Sequence, residues 1–102
     1  MFETAIKGEA YHISFVLIRN YSMISLSSAI EPLRLANRMD NETHYTWSLH
    51  GENGEPVQAS NGLVFADIKP LDDVDPKSLL FVVGGLDIQH QVTSVMLNWL
   101  RK

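Results

Sequence analysis

Two adjacent glycines, Gly84 and Gly85, follow a wholly apolar run at 79–83 and precede a segment with helical spacing. Glycines let the backbone turn sharply with its N–H groups pointing outward, and a helix N-terminus adds positive potential. Such a turn is suited to an anion or to a developing oxyanion. The simpler interpretation, which the residues favour, is a plain strand-to-helix turn in which glycine only satisfies the backbone dihedrals. The turn matches neither a Walker nor a GxGxxG motif.

The other residue types that carry chemistry show no catalytic or metal-binding spacing. The four histidines are His12, His44, His50 and His90. They fit neither a zinc site nor a catalytic triad. The acidic cluster at 72–75 fails the EF-hand pattern, and no serine lies in a G-x-S-x-G elbow. Glu31 lies at the margin of an apolar helical face, where it faces either a pocket or solvent. We therefore predict no metal, no cofactor and no catalytic residue.

The composition is that of an ordinary globular chain. It has 102 residues, of which 45% are hydrophobic and 20% charged, and its formal net charge is −4. A surface that binds phosphate backbones is normally basic, so this segment is not expected to hold nucleic acid itself. Its apolar runs are far shorter than the roughly 20 residues of a membrane span. With no cysteine and no secretory signal, we predict a cytoplasmic protein without a membrane partner.

Three stretches have the composition of β-strands. They lie at 12–18, 44–51 and 79–83. The first and third are β-branched and aromatic runs, and the second alternates apolar with polar residues. Between the second and third strands, turn signals at 52–55 and 60–62 predict a hairpin-like excursion. Asn61 and Gly62 suit the positive dihedrals of a tight turn there.

Helical spacing predicts two helices, one within 21–38 and one at 88–101. Ser22 or Ser25 is expected to cap the first helix. Pro32 should kink this helix or start a new segment, because proline removes a donor and crowds the carbonyl four residues back. The second helix is predicted to present one apolar stripe. The stripe consists of Ile88, Val92, Val95, Met96, Trp99 and Leu100.

The order of these elements predicts an α/β fold with a parallel sheet. Right-handed crossovers place strands 2, 1 and 3 side by side, which is the N-terminal half of a flavodoxin-like sandwich. The continuous apolar run at 79–83 is typical of a strand with neighbours on both sides. As the last strand of three it would have an open edge, so we expect further strands or a partner to cover it.

Three stretches together resemble a known family. They are FVLIRNYSMISLSSAIEPLRLANR at 15–38, YTWSLHGENGEPVQASNGLVF at 45–65 and LLFVVGGL at 79–86. They look like the N-terminal half of the PfpI-like, glutamine-amidotransferase-like domain found at the front of GlxA-type AraC-family transcription regulators. EPLRLAN and ASNGL are the specific pieces, because relatives elsewhere in the superfamily do not usually carry them.

The resemblance implies a domain that senses a small metabolite and dimerises, while a C-terminal pair of helix-turn-helix units binds DNA. Residues 1–102 would then be an incomplete sensor domain, with the nucleophile-elbow half and the DNA-binding domain beyond Lys102. The turn at Gly84 and Gly85 resembles the oxyanion-side loop beside that elbow. Enzymatic relatives also place a carboxylate just after the first strand, where this chain has RNYSMIS. The resemblance therefore favours binding over catalysis.

The ligand pocket is expected at the carboxyl ends of the strands, where open α/β sheets bind ligands. The residues placed near it are Asn20, Tyr21, Ser22, Asn61, Gly84, Gly85 and Leu86. The family implies an amino acid or a quaternary amine as the effector. Tyr21 offers a ring face for such a cation, or it packs against the first helix.

Two other functions stay open from the sequence. One is a PfpI-type hydrolase or isomerase whose nucleophile lies beyond residue 102. The other is a small dimeric interaction protein that buries the apolar edge at 79–83; its stability would depend on concentration. We also expect the isolated chain to fold marginally or to self-associate, because that edge and the second helix's stripe would be uncovered.

Overall fold

A parallel four-stranded sheet forms the centre of the computed structural model, which describes residues 10–85 and 88–101. The strands are β1 (Tyr11–Leu17), β2 (Tyr45–Gly51), β3 (Lys69–Pro70) and β4 (Leu79–Val83). Their order is β3-β2-β1-β4, and every pair is parallel. The predicted arrangement, in which the second, first and third strands lie side by side, is therefore confirmed. The sequence did not indicate β3, because two residues that include a proline show no periodicity.

Helix α1 spans Met23–Asp40 and follows β1 directly. Its N-cap is Ser22, whose hydroxyl accepts a hydrogen bond from the Ser25 N–H at 3.2 Å, so the first of the two predicted caps is confirmed. The helix continues through Pro32, and the prediction of a new segment there is wrong. The apolar face of α1 packs on the sheet on both sides of this proline, which offsets one missing hydrogen bond. Asn41 ends α1 in a left-handed conformation, with φ 54°.

The side chain of Asn37 fixes the connection between α1 and β2. Its Oδ1 accepts from the backbone N–H groups of His44 and Tyr45, at 2.8 and 3.0 Å. Its Nδ2 donates to the Tyr45 carbonyl oxygen at 2.8 Å. One partly buried amide therefore satisfies three backbone groups where the chain enters β2.

We expect Asn37→Ala to lower the free energy of unfolding by about 2 kcal/mol, because it leaves these partly buried backbone groups without their partner. Urea unfolding followed by circular dichroism measures the loss. Ser27→Ala, at an exposed position of the same helix, is the control and should change stability by less than about 0.5 kcal/mol. Equal losses in the two variants would contradict the role of the Asn37 amide.

The hydrophobic core lies on both faces of β1, because successive side chains of a strand point to opposite faces. The α1 face carries the larger cluster, whose buried members are Ile13, Phe15, Leu17, Tyr21, Leu26, Ala59, Ile68 and Val83. The opposite face carries a smaller cluster of Val16, Ile18, Leu71 and Met96. The alternation in β1 thus anchors both layers of the sandwich.

The last helical segment is two helices, α2 (Ile88–Gln91) and α3 (Ser94–Leu100). The prediction of one continuous helix at 88–101 is wrong. Thr93 takes an extended conformation, and its hydroxyl accepts from the Met96 N–H at 3.0 Å. Threonine is a good N-cap and a poor mid-helix residue, so a cap at this position interrupts the helix.

This interruption changes the predicted apolar stripe. Four of its six residues pack on the smaller cluster: Val92, Met96, Trp99 and Leu100. Ile88 and Val95 are 40% and 59% exposed. The expectation of an uncovered stripe is therefore correct for these two side chains and wrong for the four that pack on the smaller cluster.

Strand β4 is an edge strand of the described sheet, as the sequence predicted. It pairs with β1, and no other described strand lies beside it. Its residues from Leu79 to Val82 are 37–50% exposed, and Val83 alone is buried, at 7%. The expected burial on both faces is thus not found among the described residues. An apolar sequence alone does not bury a strand that has one neighbour.

The excursion between β2 and β3 contains the predicted hairpin-like turn. Gln58 and Val64 form an antiparallel bridge, and the Gly62 N–H donates to the Ala59 carbonyl oxygen at 3.0 Å. Gly62 has the predicted positive φ, of 88°. Asn61 does not have a positive φ, and that part of the prediction is wrong: its Oδ1 instead accepts from the Leu63 N–H at 3.0 Å.

Within the described ranges, no helix is long and apolar enough to cross a membrane.

Candidate functional site

Three segments that are distant in sequence meet at the carboxyl ends of β1 and β4. Tyr21 forms a parallel bridge with Ala59 of the excursion and an antiparallel bridge with Gly85. The Ser22 N–H donates to the Gly84 carbonyl oxygen at 3.0 Å. We call this meeting of residues 20–22, 58–60 and 84–85 the backbone junction. It brings together most of the residues that the sequence placed near a ligand.

The excursion is held to the junction by two further backbone hydrogen bonds. The Asn20 N–H donates to the Gln58 carbonyl oxygen at 2.8 Å, and the Ser60 N–H donates to the Tyr21 carbonyl oxygen at 2.9 Å. Asn20 is left-handed, with φ 66°, and is half-buried. The Asn61 side chain is exposed and bonds within its own turn. Leu86 lies outside the described residues.

Gly85 is required by close packing of backbone on backbone. A Cβ atom there would lie 2.6 Å from the Asn20 carbonyl oxygen and 2.8 Å from the Ser22 nitrogen. Neither atom belongs to a side chain that can turn away. The glycine therefore acts as a structural device, as the simpler interpretation held, although the reason is space and not a positive φ. An anion-binding role for this turn stays a prediction.

Tyr21 is fully buried and belongs to the same core cluster as Leu26 of α1. Its hydroxyl has no hydrogen-bond partner among the described residues, and burial raises the pKa of Tyr21. The ring is thus packed in the core beside the first helix, which was the alternative to cation binding in the sequence analysis. A contact between this ring and a cationic ligand stays a prediction.

A cavity of about 310 Å³ lies beside the junction. Its walls are the end of β1 at 17–19, the loop at 52–58 and the α2–α3 segment at 90–96. Its polar lining includes Arg19, Glu52, Glu55, Gln58, His90 and Thr93. None of the six described residues predicted to bind a ligand lines it, although Asn20 is bonded to its wall through the backbone of Gln58.

The cavity carries both signs of charge. Arg19 contributes a guanidinium that stays protonated in proteins, and Glu52 and Glu55 contribute carboxylates. The Thr93 hydroxyl donates to Glu52 Oε1 at 2.7 Å, which joins the 52–58 loop to the start of α3. Such a lining suits a small polar molecule that carries opposite charges. The described residues contain no cluster of side chains able to hold a metal ion.

The sequence reasoning missed this lining because its charged residues lie in loops and have the pattern of solvated surface. The sequence did contain one indication of this site. Arg19 and Glu52 each come within two residues of the end of a predicted strand, at 18 and at 51. Parallel strands bring their carboxyl ends to one edge of the sheet, so these two positions had to lie near each other.

A second cavity, of about 510 Å³, lies between α1, β2 and the excursion. Its lining is mainly apolar, with Ile30, Trp47, Leu49 and Phe65, and it includes Asp67 and Lys69 at the side of β3. None of its lining residues belongs to the backbone junction, whereas Gln58 of the junction lines the smaller cavity. The smaller, charged cavity is therefore the better candidate site.

The parallel sheet, the helical layers and the site at the carboxyl ends of the strands define a flavodoxin-like α/β sandwich. Solved structures of similar fold support this class. An AraC family transcriptional regulator from Pseudomonas putida matches with a TM-score of 0.66 and 25% identity, over 76% of this chain and 42% of that one. A DJ-1 superfamily protein from Agrobacterium tumefaciens matches with a TM-score of 0.57 and 19% identity, over 89% of this chain and 46% of that one, which shows the fold alone.

Curated relatives give the more specific comparison. The chain is 39% identical over 88 residues to the HTH-type transcriptional regulator CdhR of Pseudomonas aeruginosa, covering 86% of this chain and 26% of CdhR. It is 36% identical over 89 residues to the HTH-type transcriptional regulator GbdR of the same species, covering 87% of this chain and 24% of GbdR. No protein-family model matches the chain.

The chain is thus a homologue of AraC-family transcriptional regulators with a DJ-1/PfpI-like fold, and the resemblance predicted from the sequence is confirmed. It spans about a quarter of the length of the curated relatives that it matches.

Proposed function

We propose that this chain is the effector-sensing part of a cytoplasmic AraC-family transcriptional regulator. The observation that carries the proposal is the charged cavity at the carboxyl ends of β1 and β2, in a chain whose curated relatives are transcriptional regulators. A net charge of −4 does not favour DNA binding by this segment itself. DNA binding therefore belongs to another part of the protein.

The proposed effector is a small zwitterion, such as an amino acid or a quaternary amine that carries a carboxylate. Arg19 supplies two parallel donors for a carboxylate, and Glu52 and Glu55 supply negative charge for an amine. A volume of about 310 Å³ is at the small end of ligand pockets, which suits a metabolite. Asn20 adjoins this cavity through its backbone hydrogen bond to Gln58, which lines it.

We further propose that the chain binds its effector without catalysis. The segment after β1 carries no acid to pair with a nucleophile, and the curated relatives are regulators. We also propose that the protein dimerises. The open edge of β4 and the exposed side chains from Leu79 to Val82 favour a further contact at this strand.

Ligand titration of the full-length protein tests the proposed site. We expect one or more zwitterions from a panel of amino acids and quaternary amines to raise the melting temperature and to bind by calorimetry. Arg19→Gln should weaken that binding at least about tenfold, because a charge-assisted hydrogen bond contributes about 1.5–3 kcal/mol.

Lys77→Gln, which also removes one positive charge but lies outside the cavity, is the matched control and should leave binding unchanged. A folded protein that binds no member of the panel would contradict the proposed effector class. Equal binding by the Arg19 variant and the control would show that the ligand lies elsewhere.

A further inference from the structure

Four side chains of β1 and β2 form a continuous line of hydrogen bonds that ends on a backbone carbonyl. Thr46 Oγ1 lies 2.8 Å from His12 Nδ1, and His12 Nε2 lies 2.8 Å from Ser48 Oγ. Ser48 Oγ lies 2.6 Å from His50 Nε2, and His50 Nδ1 lies 3.1 Å from the Pro70 carbonyl oxygen. We call this line the histidine track. His50 is 1% exposed, while Thr46 lies at the exposed end.

The carbonyl at the buried end sets the direction of every bond in the track. A carbonyl oxygen only accepts, so His50 Nδ1 carries a proton and, in the neutral ring, Nε2 accepts. Ser48 must then donate its hydroxyl proton to His50 and accept from His12 Nε2–H. His12 Nδ1 is left as an acceptor for the Thr46 hydroxyl. Both tautomers follow from one backbone contact.

An added proton disturbs the hydrogen bonds of the track less at His12 than at His50. At His12 Nδ1 it requires only that the exposed Thr46 hydroxyl turn. At His50 Nε2 it removes the acceptor of the Ser48 hydroxyl, which must then turn out of the track and lose its partner, or turn to His12, which must change its tautomer. A second proton would make both rings cations, with each Nε2 within 2.8 Å of the same Ser48 Oγ. The two positive charges would then repel each other across this oxygen.

The buried end of the track supports a wall of the candidate cavity. Pro70 forms a bridge with Asn53, which lines the cavity. A Cβ atom on Gly54 would lie 3.1 Å from the Pro70 ring, so the turn at 52–54 packs closely on this proline. The bond from His50 to the Pro70 carbonyl therefore holds the cavity wall to β2.

We propose that the histidine track confines proton uptake to His12, so that the Ser48 hydroxyl keeps donating to His50 in mild acid. The proposal follows from the hydrogen bonds alone and does not depend on the proposed function.

The surroundings of His12 mostly favour its neutral form, so they shift its proton uptake to lower pH and do not promote it. Burial is the main influence and lowers the pKa of His12 below its ordinary value of 6.5. Asp75 raises the pKa, while His50 and Lys69 lower it further. His12 is therefore neutral at pH 7, which is the state with all its bonds matched.

Ring-nitrogen NMR of the full-length protein, labelled with ¹⁵N-histidine and free of effector, tests the proposal between about pH 8 and about pH 5. We expect His50 to show the Nδ1–H tautomer throughout, while the nitrogens of His12 move to imidazolium values. Thr46→Ala, at the exposed end, should behave like the wild type. In Ser48→Ala, His12 should lose its single tautomer and the two rings should respond to pH independently.

An Nε2–H tautomer of His50 at pH 8, or joint protonation of both rings in the wild type, would overturn the proposal. So would a folded Ser48→Ala variant with unchanged tautomers. Amide spectra report whether each variant is folded. If Ser48→Ala is unfolded, Ser48→Thr replaces it as the test, because it keeps the hydroxyl and should show the wild-type tautomers. None of these outcomes depends on an effector, so the proposed function is tested separately.

Discussion

Gly85→Ala is expected to lower the free energy of unfolding by about 3 kcal/mol. The new Cβ atom would lie 2.6 Å from the Asn20 carbonyl oxygen and 2.8 Å from the Ser22 nitrogen. Overpacking usually costs about 1–3 kcal/mol, and the upper end applies here because both obstacles are backbone atoms. To relieve the clash, the chain must separate Gly85 from Tyr21 and lose the bridge between them. Urea unfolding measures the loss.

Gly84→Ala is the matched control, one residue away in the same turn. Among the described residues, the three atoms nearest to its Cβ all belong to the side chain of Ile88, which is 40% exposed and can change rotamer. We expect a loss of about 1 kcal/mol for this variant. A Gly85→Ala protein as stable as the Gly84→Ala protein would mean that the junction is looser than its contacts indicate.

Phe15→Ala is expected to destabilise the fold by about 3–5 kcal/mol, the usual effect of truncating a buried phenylalanine. Phe15 is fully buried at the centre of β1 and belongs to the larger core cluster. Its neighbours on both sides are strands, so the sheet cannot collapse into the space that the ring leaves. Thermal and urea unfolding measure the effect. A variant that is unfolded when it is expressed would agree with the expected destabilisation.

Phe81→Ala separates burial from aromatic contact. The Phe81 ring stacks on Phe15, with centroids 5.7 Å apart, but it is 45% exposed on the edge strand β4. Because water already reaches this ring, its removal should cost less than half as much as the loss of Phe15. A larger loss at Phe81 would show that β4 is covered in the protein in solution, by a second copy or by another part of the chain.

The elements of the sheet were predictable because each depends on local pattern. Alternation at 44–51 and the apolar runs at 12–18 and 79–83 gave strands within one residue of β2, β1 and β4. Their order followed from the handedness of parallel crossovers, which barely depends on side chains. The cap at Ser22 was also predictable, because it depends on a hydrogen bond between residues three apart in sequence.

The errors in the prediction arose where a local preference competes with another one. Apolar residues at helical spacing lie on both sides of Thr93 and predict one helix. The Thr93 hydroxyl instead caps the start of α3, so the helix is interrupted there. Pro32 weakens α1 locally, but packing on the sheet keeps the helix whole. In both cases the outcome depends on contacts that periodicity does not contain.

The sequence by itself determined the fold class, the order of the three longer strands and the relationship to AraC-family regulators, because periodicity and motif spacing are properties of the chain. Only the tertiary structure decided which polar groups meet. Arg19, Glu52 and Thr93 surround one cavity, and His12 and His50 share the hydroxyl of Ser48. The register between β1 and β2 brings His12 to Ser48, and the packing of α3 beside the 52–58 loop brings Thr93 to Glu52; neither contact is contained in a local pattern.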